Sequence, residues 1–331
     1  MDQRTYSKVE FRDSRAELVS VPLEETGAGE VLIKAECSLI SPGTERAALT
    51  RVWDDPEFRR NPGYALAGEV VETGPDVDTL SPGDRVISLV SHASHAVASA
   101  APWVTLRVPD SLGMEEATFL PLASVALHAI RRAEIVLGET MTIIGAGIVG
   151  QLAITLAGMQ GARRVIVLDL DDERLDLARG RGADVTINPQ RENPVERILE
   201  ETDGAGARVI LEATGNTNVI PQTFRMAGVG GRIVCLGIIN EEIPLHFHKD
   251  FMQKELTLMA STQPRCPTTE TIYYPWTQQA NRRLGLDMMS AGDLEIGDLL
   301  THRFPASEAP RVYDRIRERE PDMLGVLLEW S

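Results

Sequence analysis

The stretch that most constrains the fold is 140–169, TMTIIGAGIVGQLAITLAGMQGARRVIVLD. A short apolar run, Met141–Ile144, enters a turn carrying Gly145, Gly147 and Gly150. A helical apolar pattern follows in Ile148, Leu152, Ile154, Leu156 and Met159, and a second apolar run, Val165–Leu168, ends on Asp169. Strand, glycine turn, helix and second strand in that order make a βαβ unit, which commits this part of the chain to a parallel α/β sheet. Gly145 permits the tight turn out of the strand, Gly147 lets the backbone approach a pyrophosphate, and Gly150 lets the helix pack close to the strand. The helix then aims its first N–H groups, those of Ile148 and Val149, and its positive dipole end at the phosphates. Asp169 falls about twenty residues beyond the last glycine, where a carboxylate accepts hydrogen bonds from a ribose 2′-OH and repels a 2′-phosphate. The expected cofactor is therefore NAD rather than NADP, with Arg174 lying along the adenine.

Strands and helices keep alternating through residue 262. A helix after Asp169 is capped by Asp171 or Asp172 and ends at Gly182, and short strands follow at Val185–Ile187, Arg208–Leu211, Arg232–Leu236 and Leu256–Ala260. This predicts a doubly wound sheet. Up to residue 115 the chain reads instead as a β-rich module. Glu30–Cys37 alternates as a half-buried strand, Ala67–Val71 and Arg85–Val90 read as short strands, and Gly-Pro turns punctuate 41–45, 61–64, 73–76 and 81–86. From Glu115 to Leu137 the pattern turns helical. Residues 263–331 read as a return to the first domain, with helices around Trp276–Ala291 and Ser307–Arg319 and a terminal strand Val326–Trp330. The expected domains are 1–120 with 263–331, and 121–262. Tyr273, Tyr274 and Trp276 fit a pocket wall, a subunit interface or plain local packing.

A formal net charge of −16 argues against nucleic acid or an acidic membrane surface as partner. No apolar stretch reaches the ~18 residues of a membrane span, and the N-terminus lacks a signal-peptide core. The expectation is a soluble, cytoplasmic protein that does not engage a membrane. Cys37, Cys235 and Cys266 are scattered, which suits a reducing compartment and gives neither a disulfide framework nor a CxxC metal pair.

Taken together, the motifs resemble the medium-chain dehydrogenase/reductase family, related to the zinc alcohol, sorbitol and threonine dehydrogenases. GEVLIKAECSLISPGTE is similar to the strand leading into that family's first metal-ligand turn, and GYALAGEVVETG keeps the glycine spacing of its GHExxGxVxxxG. SPGDRV, PLASVALHAIRR, GAGIVG, EATG at 212–215, VCLG at 234–237 and LLTHRFP at 299–305 then follow in the family's order. The resemblance implies a GroES-like β-rich catalytic domain, a Rossmann domain binding NAD, a small-molecule alcohol or ketone substrate, and a homodimer or homotetramer. By family position Thr214, Leu236, Gly237 and Ser261 flank the nicotinamide.

The departures matter as much. Where zinc members carry a Cys just before the GT[DE] turn, this chain has Pro42. Where they carry the His and Glu of GHE, it has Tyr64 and Ala65. Where a Cys or Glu precedes the helix into the Rossmann domain, it has Leu120 and Pro121. The four-cysteine loop of structural zinc is missing, and His92 and His95 alone make no site. Zinc requires three or four N, S or O ligands in fixed geometry, so the expectation is no metal. A base or a hydrogen-bonded relay must then handle the hydroxyl proton. The catalytic candidates are Tyr64, whose phenol would bond the substrate oxygen; Thr44, matching the proton-passing hydroxyl of relatives; Glu45 beside it; and His95, from the stretch resembling the family's loop near the cleft. Each also has a plainer reading: Tyr64 as a filler of the metal's space, Glu45 as a loop anchor through Arg46, Thr44 as a backbone partner, His95 as packing.

The expected activity is a zinc-independent, NAD-dependent hydride transfer between the nicotinamide and a secondary alcohol or ketone of a polyol, sugar or cyclitol. Two alternatives stay open. SLISPGTE and the HFHK…LLTHRFP tail resemble the zinc-lacking branch that includes bacteriochlorophyllide hydroxyethyl dehydrogenase, which implies a large, flat, tetrapyrrole-like substrate. Loss of every zinc ligand also fits a non-catalytic NAD(H)-binding redox sensor.

Overall fold

The computed structural model describes residues 5–51, 60–272 and 274–330, so Tyr273 lies outside the described residues. The chain divides into two units, Met1–Leu122 with Thr268–Ser331, and Ala123–Pro267.

The first unit opens with a hairpin of β1 (Thr5–Arg12) and β2 (Arg15–Pro22), turned by Asp13 and Ser14, both at positive φ. That pair of left-handed residues matches the twist of the flanking strands. Its main sheet is built on β3 (Glu30–Ile40), which pairs antiparallel with β4 (Leu66–Thr73) and with β6 (His95–Ser99). From β4 the sheet continues to β5 (Arg85–Ser88) and β7 (Thr105–Arg107). Val31, Ile33, Leu66, Val70 and Val86 bury one face in a common core. Full burial of each such side chain contributes about 1.5–3 kcal/mol before entropy is counted.

After β3 the SPGTE segment, which reads as a turn, forms the helix Pro42–Leu49. Pro42 at its start has no N–H to leave unsatisfied, Glu45 sits in the first turn, and Ala47, Ala48 and Leu49 are buried. The single helix expected over 115–137 is two, Met114–Ala117 and Leu120–Ala133. Pro121 lacks the N–H that would bond the carbonyl one turn earlier, and Thr118 turns its hydroxyl back to the Glu115 carbonyl.

The second unit is a six-stranded parallel sheet of β8 (Thr140–Ile144), β9 (Arg164–Leu168), β10 (Val185–Ile187), β11 (Ala207–Glu212), β12 (Ala227–Cys235) and β13 (Thr257–Ala260), in the order β10-β9-β8-β11-β12-β13. The chain builds outward from β8 to β10 and then outward again from β11 to β13. The reversal lies between β8 and β11, the crevice position where such sheets bind ligands. The central strands are apolar and buried, as a sheet covered on both faces requires.

β14 (Leu300–Pro305) and β15 (Gly325–Glu329) return to the first unit, where β15 pairs antiparallel with β3. The helix between them, Ala309–Glu318, buries Ala309, Val312, Tyr313 and Ile316 on one face. Phe11 meets the Tyr313 ring edge-on at 4.9 Å, a geometry worth ~0.5–1.5 kcal/mol beyond the area it covers. Among the described residues, no helix is long and apolar enough to cross a membrane.

Candidate active site

In a parallel sheet every strand ends at the same edge, and the sequence-predicted nucleotide residues fall there. Gly145 follows β8, Asp169 follows β9, Thr214 lies just beyond β11, Leu236 and Gly237 follow β12, and Ser261 follows β13. Gly145 takes φ +101, and a Cβ on it would strike the Thr214 methyl at 2.9 Å. The two loops on either side of the reversal are thus in contact. A Cβ on Gly150 would lie 1.9 Å from the Gly145 carbonyl oxygen, whereas one on Gly147 would meet nothing within 4 Å. Close helix packing and an open approach are therefore supplied by the glycines assigned to those tasks.

The helix Ile148–Gln160 has Gly147 as its N-cap and no side chain capping it. The first-turn N–H groups, including those of Ile148 and Val149, stay available to an anion. Asp169 is half-buried. Its carboxylate accepts from the Ala146 N–H at 2.6 Å and the Asp171 N–H at 3.0 Å, so it braces the turn as well as facing this edge. Arg174 sits in the first turn of the next helix, Asp172–Gly180, its carbonyl accepting from Gln151 at 2.8 Å.

Across the reversal, buried Glu212 accepts from the Thr214 N–H at 2.8 Å, the Thr214 hydroxyl and the Gly215 N–H. Burial raises its carboxyl above the usual range, against the pull of those bonds. Its backbone carbonyl accepts from Leu236 and Gly237 at 2.8 and 3.0 Å. The Ser261 hydroxyl is buried with no hydrogen-bond partner among the described residues, a group that a bound ligand would satisfy. The uncapped helix, the open Gly147 and this orphaned hydroxyl fit a dinucleotide.

In the first unit, half-buried Tyr64 shares side-chain hydrogen bonds with Ser41 and Thr44. Burial, helped by the nearby Glu45 charge and opposed by the two hydroxyls, pushes its phenol up to about 12. The structure thus brings Tyr64 and Thr44 together and adds Ser41, which sequence reasoning missed.

Glu45 lies beneath this cluster, fully buried. Its partners are the Ser41 N–H at 2.7 Å, His92 at 3.0 Å and the Tyr313 hydroxyl, in place of the anticipated Arg46. The structure does not bring His95 to the cluster. β6 pairs it with Lys34, and it lines a separate cavity with Tyr6, Glu24 and Ser91. Burial, with the Lys34 charge, lowers the His95 imidazole.

Zinc does not fit the donor set. Pro42 opens a helix and Leu120 is a buried apolar residue; neither carries a ligand atom. The Tyr64 oxygen is held by hydroxyls. Among the described residues, no group of three or more His, Cys, Asp or Glu side chains could hold a metal ion.

Two family models match this chain. Residues 27–119 match the alcohol dehydrogenase GroES-like domain and residues 149–276 the zinc-binding dehydrogenase family. An L-threonine 3-dehydrogenase of Caldanaerobacter subterraneus subsp. tengcongensis is 28% identical over 90% of this chain and 91% of its own length. Among solved structures, a putative zinc-binding dehydrogenase from Sinorhizobium meliloti 1021 bound to NADP aligns with TM-score 0.83 and 23% identity, over 99% of this chain and 100% of that one. Galactitol-1-phosphate dehydrogenase from Escherichia coli aligns with TM-score 0.82 and 22% identity, over 98% and 99%. The likeness to both structures is one of fold: a GroES-like domain with a Rossmann-type sheet.

Proposed function

We propose that the chain, which matches the alcohol dehydrogenase GroES-like domain over residues 27–119 and the zinc-binding dehydrogenase family over 149–276, is an NAD(H)-dependent oxidoreductase of a secondary alcohol or its ketone that works without zinc. The observation that carries this reading is the Tyr64–Ser41–Thr44 hydroxyl cluster, standing where zinc members of the superfamily place a histidine ligand.

The nicotinamide, when bound, accepts or donates the hydride. The glycine turn and uncapped helix hold its pyrophosphate, and Asp169 selects the unphosphorylated ribose. On the substrate side, a phenol pushed up to about 12 stays protonated near neutral pH, so Tyr64 is a hydrogen-bond donor to a carbonyl oxygen. As hydride reaches the carbonyl carbon, charge develops on that oxygen. Tyr64 stabilises the charge and passes its proton, while Ser41 and Thr44 hold the phenol and supply the next hydroxyls of a relay. The reverse path serves oxidation. A cluster of three hydroxyls suits a substrate with several hydroxyls of its own. The structural neighbour named for galactitol 1-phosphate supports that class, and the relatives named for L-threonine support a secondary alcohol.

The test incubates the chelator-treated protein with NAD and a panel of polyols, sugars and cyclitols, following the absorbance of the reduced cofactor. Turnover is expected to survive chelation with less than one zinc per chain. Tyr64→Phe is expected to lose about a hundredfold in kcat while NADH still binds. Stoichiometric zinc with chelator-sensitive turnover would overturn the reading. Tight NAD binding with no turnover on any alcohol or ketone would favour a redox sensor instead.

A further inference from the structure

The cluster on Tyr64 has two halves that are remote in the chain. Ser41 and Thr44 belong to the start of the helix Pro42–Leu49, and Tyr64 follows the turn at 61–63. Glu45 binds the first half, because its carboxylate accepts the Ser41 N–H at 2.7 Å. His92 binds the second. Its backbone N–H donates to the Pro62 carbonyl at 3.0 Å, and its ring lies so close to Gly63 that a Cβ there would fall 2.6 Å from the imidazole. Glu45 and His92 then meet at 3.0 Å, both fully buried.

The bond directions around His92 follow from its neighbours. Trp330 Nε1 only donates, and it donates to Ser38 Oγ at 2.9 Å. The Glu45 carboxylate oxygen accepts, so His92 Nε2–H donates to it at 3.0 Å, and in that tautomer Nδ1 accepts the Ser38 hydroxyl at 2.8 Å. Tyr313, on the helix Ala309–Glu318, donates to the same Glu45 oxygen and is a second hold on the carboxylate.

We propose that the Glu45–His92 contact is a staple that sets Tyr64 against Ser41 and Thr44, and that His92 and Tyr313 are positioning residues for the hydroxyl cluster. Neither touches the reacting atoms; each acts through Glu45. The bearing of the staple on turnover rests on the reading of Tyr64 given above, but the staple itself does not.

The test labels the full chain with 3-fluorotyrosine and follows the fluorine NMR line of Tyr64, identified by its loss in Tyr64→Phe. His92→Phe keeps a ring of similar volume and deletes both ring hydrogen bonds. The Tyr64 line is expected to shift and broaden in this variant, while those of Tyr6 and Tyr274 stay in place. His92→Gln carries an amide N–H that reaches toward Glu45, and it is expected to restore the parent line. A Tyr64 line unmoved by His92→Phe would overturn the staple. So would equal displacement of all the tyrosine lines, which marks general loosening of the core. Should His92→Phe fail to fold, Glu45→Gln leaves one acceptor oxygen where two were used, so its amide N–H must face either the Ser41 N–H or the His92 and Tyr313 donors, and it is expected to displace the same line; no displacement overturns the proposal equally. Turnover separates the two claims. If Tyr64→Phe kills turnover, His92→Phe is expected to lower kcat about tenfold with KM for NADH changed less than about twofold. If Tyr64→Phe turns over at the parent rate, the functional reading fails while the NMR result for the staple stands.

Discussion

Asp169→Asn is the most informative single change on the nucleotide side, because it separates the bracing of the glycine turn from the ribose binding proposed for the same carboxylate. The substitution keeps the shape and removes the charge. One oxygen remains to accept from Ala146 or Asp171, and the new amide points its own hydrogens at the other N–H. Losing one charge-assisted bond and leaving a half-buried donor unsatisfied costs about 1–2 kcal/mol of stability. That cost does not depend on which nucleotide is bound. The bonds to the adenosine ribose are a separate contribution, about 1.5–3 kcal/mol for hydroxyls on a charged acceptor, or roughly ten- to a hundredfold in Kd. Loss of the negative charge also removes the repulsion felt by a 2′-phosphate. Fluorescence titration with NADH and NADPH, beside thermal unfolding of the free protein, resolves the two. NADH is expected to weaken at least tenfold while NADPH holds or improves, with a modest drop in Tm. If both nucleotides weaken by the same factor, the carboxylate is only a brace for the glycine turn and its assignment to cofactor choice is refuted.

Gly150→Ala drives a methyl to 1.9 Å from the Gly145 carbonyl, so the helix must leave the turn. About 1–3 kcal/mol of stability and much of the NADH affinity are expected to go with it. Gly158→Ala, on the same helix with open space around it, is the control and is expected to be neutral or stabilising by up to ~1 kcal/mol in thermal unfolding. Burial alone would push the Glu139 carboxyl up, but the Val136 N–H and the Arg232 guanidinium outweigh it and hold the group below its ordinary range. A lowered folded pKa contributes stability above the unfolded carboxylate range that is lost as pH falls through the folded value. Arg232→Gln is therefore expected to have a lower Tm than the parent near neutral pH, with the gap narrowing below about pH 4 to the part due to the Arg232 bonds to the Ala133 and Glu134 carbonyls.

The sheet edge proposed for the nucleotide was legible in the sequence because its centre is local. One βαβ unit carries the glycines, the helix and Asp169, and parallel pairing brings the remaining strand ends alongside. The hydroxyl cluster was legible only in part. Tyr64, Thr44 and Glu45 stood out by resemblance, but the groups that hold Glu45 come from 47 and 268 positions away. No periodicity or spacing records such a contact. His95 looked like a site residue through its neighbours in sequence; strand register set it beside Lys34. The helix Pro42–Leu49 was hidden because Ser, Pro and Gly open a helix as readily as they make a turn.

The first unit is made of two pieces of chain separated by the whole of the second. Trp330 donates its backbone N–H to Glu36 and its indole N–H to Ser38, and Tyr313 reaches Glu45, so the last strand and helix lock the first. On the ribosome the nucleotide-binding unit emerges uninterrupted and can fold first. The hydroxyl cluster has to wait until Tyr313 and Trp330 have been made before its anchors exist. A chain lacking its last helix and strand would keep the parallel sheet whole, while Glu45 would lose Tyr313 and Ser38 would lose Trp330.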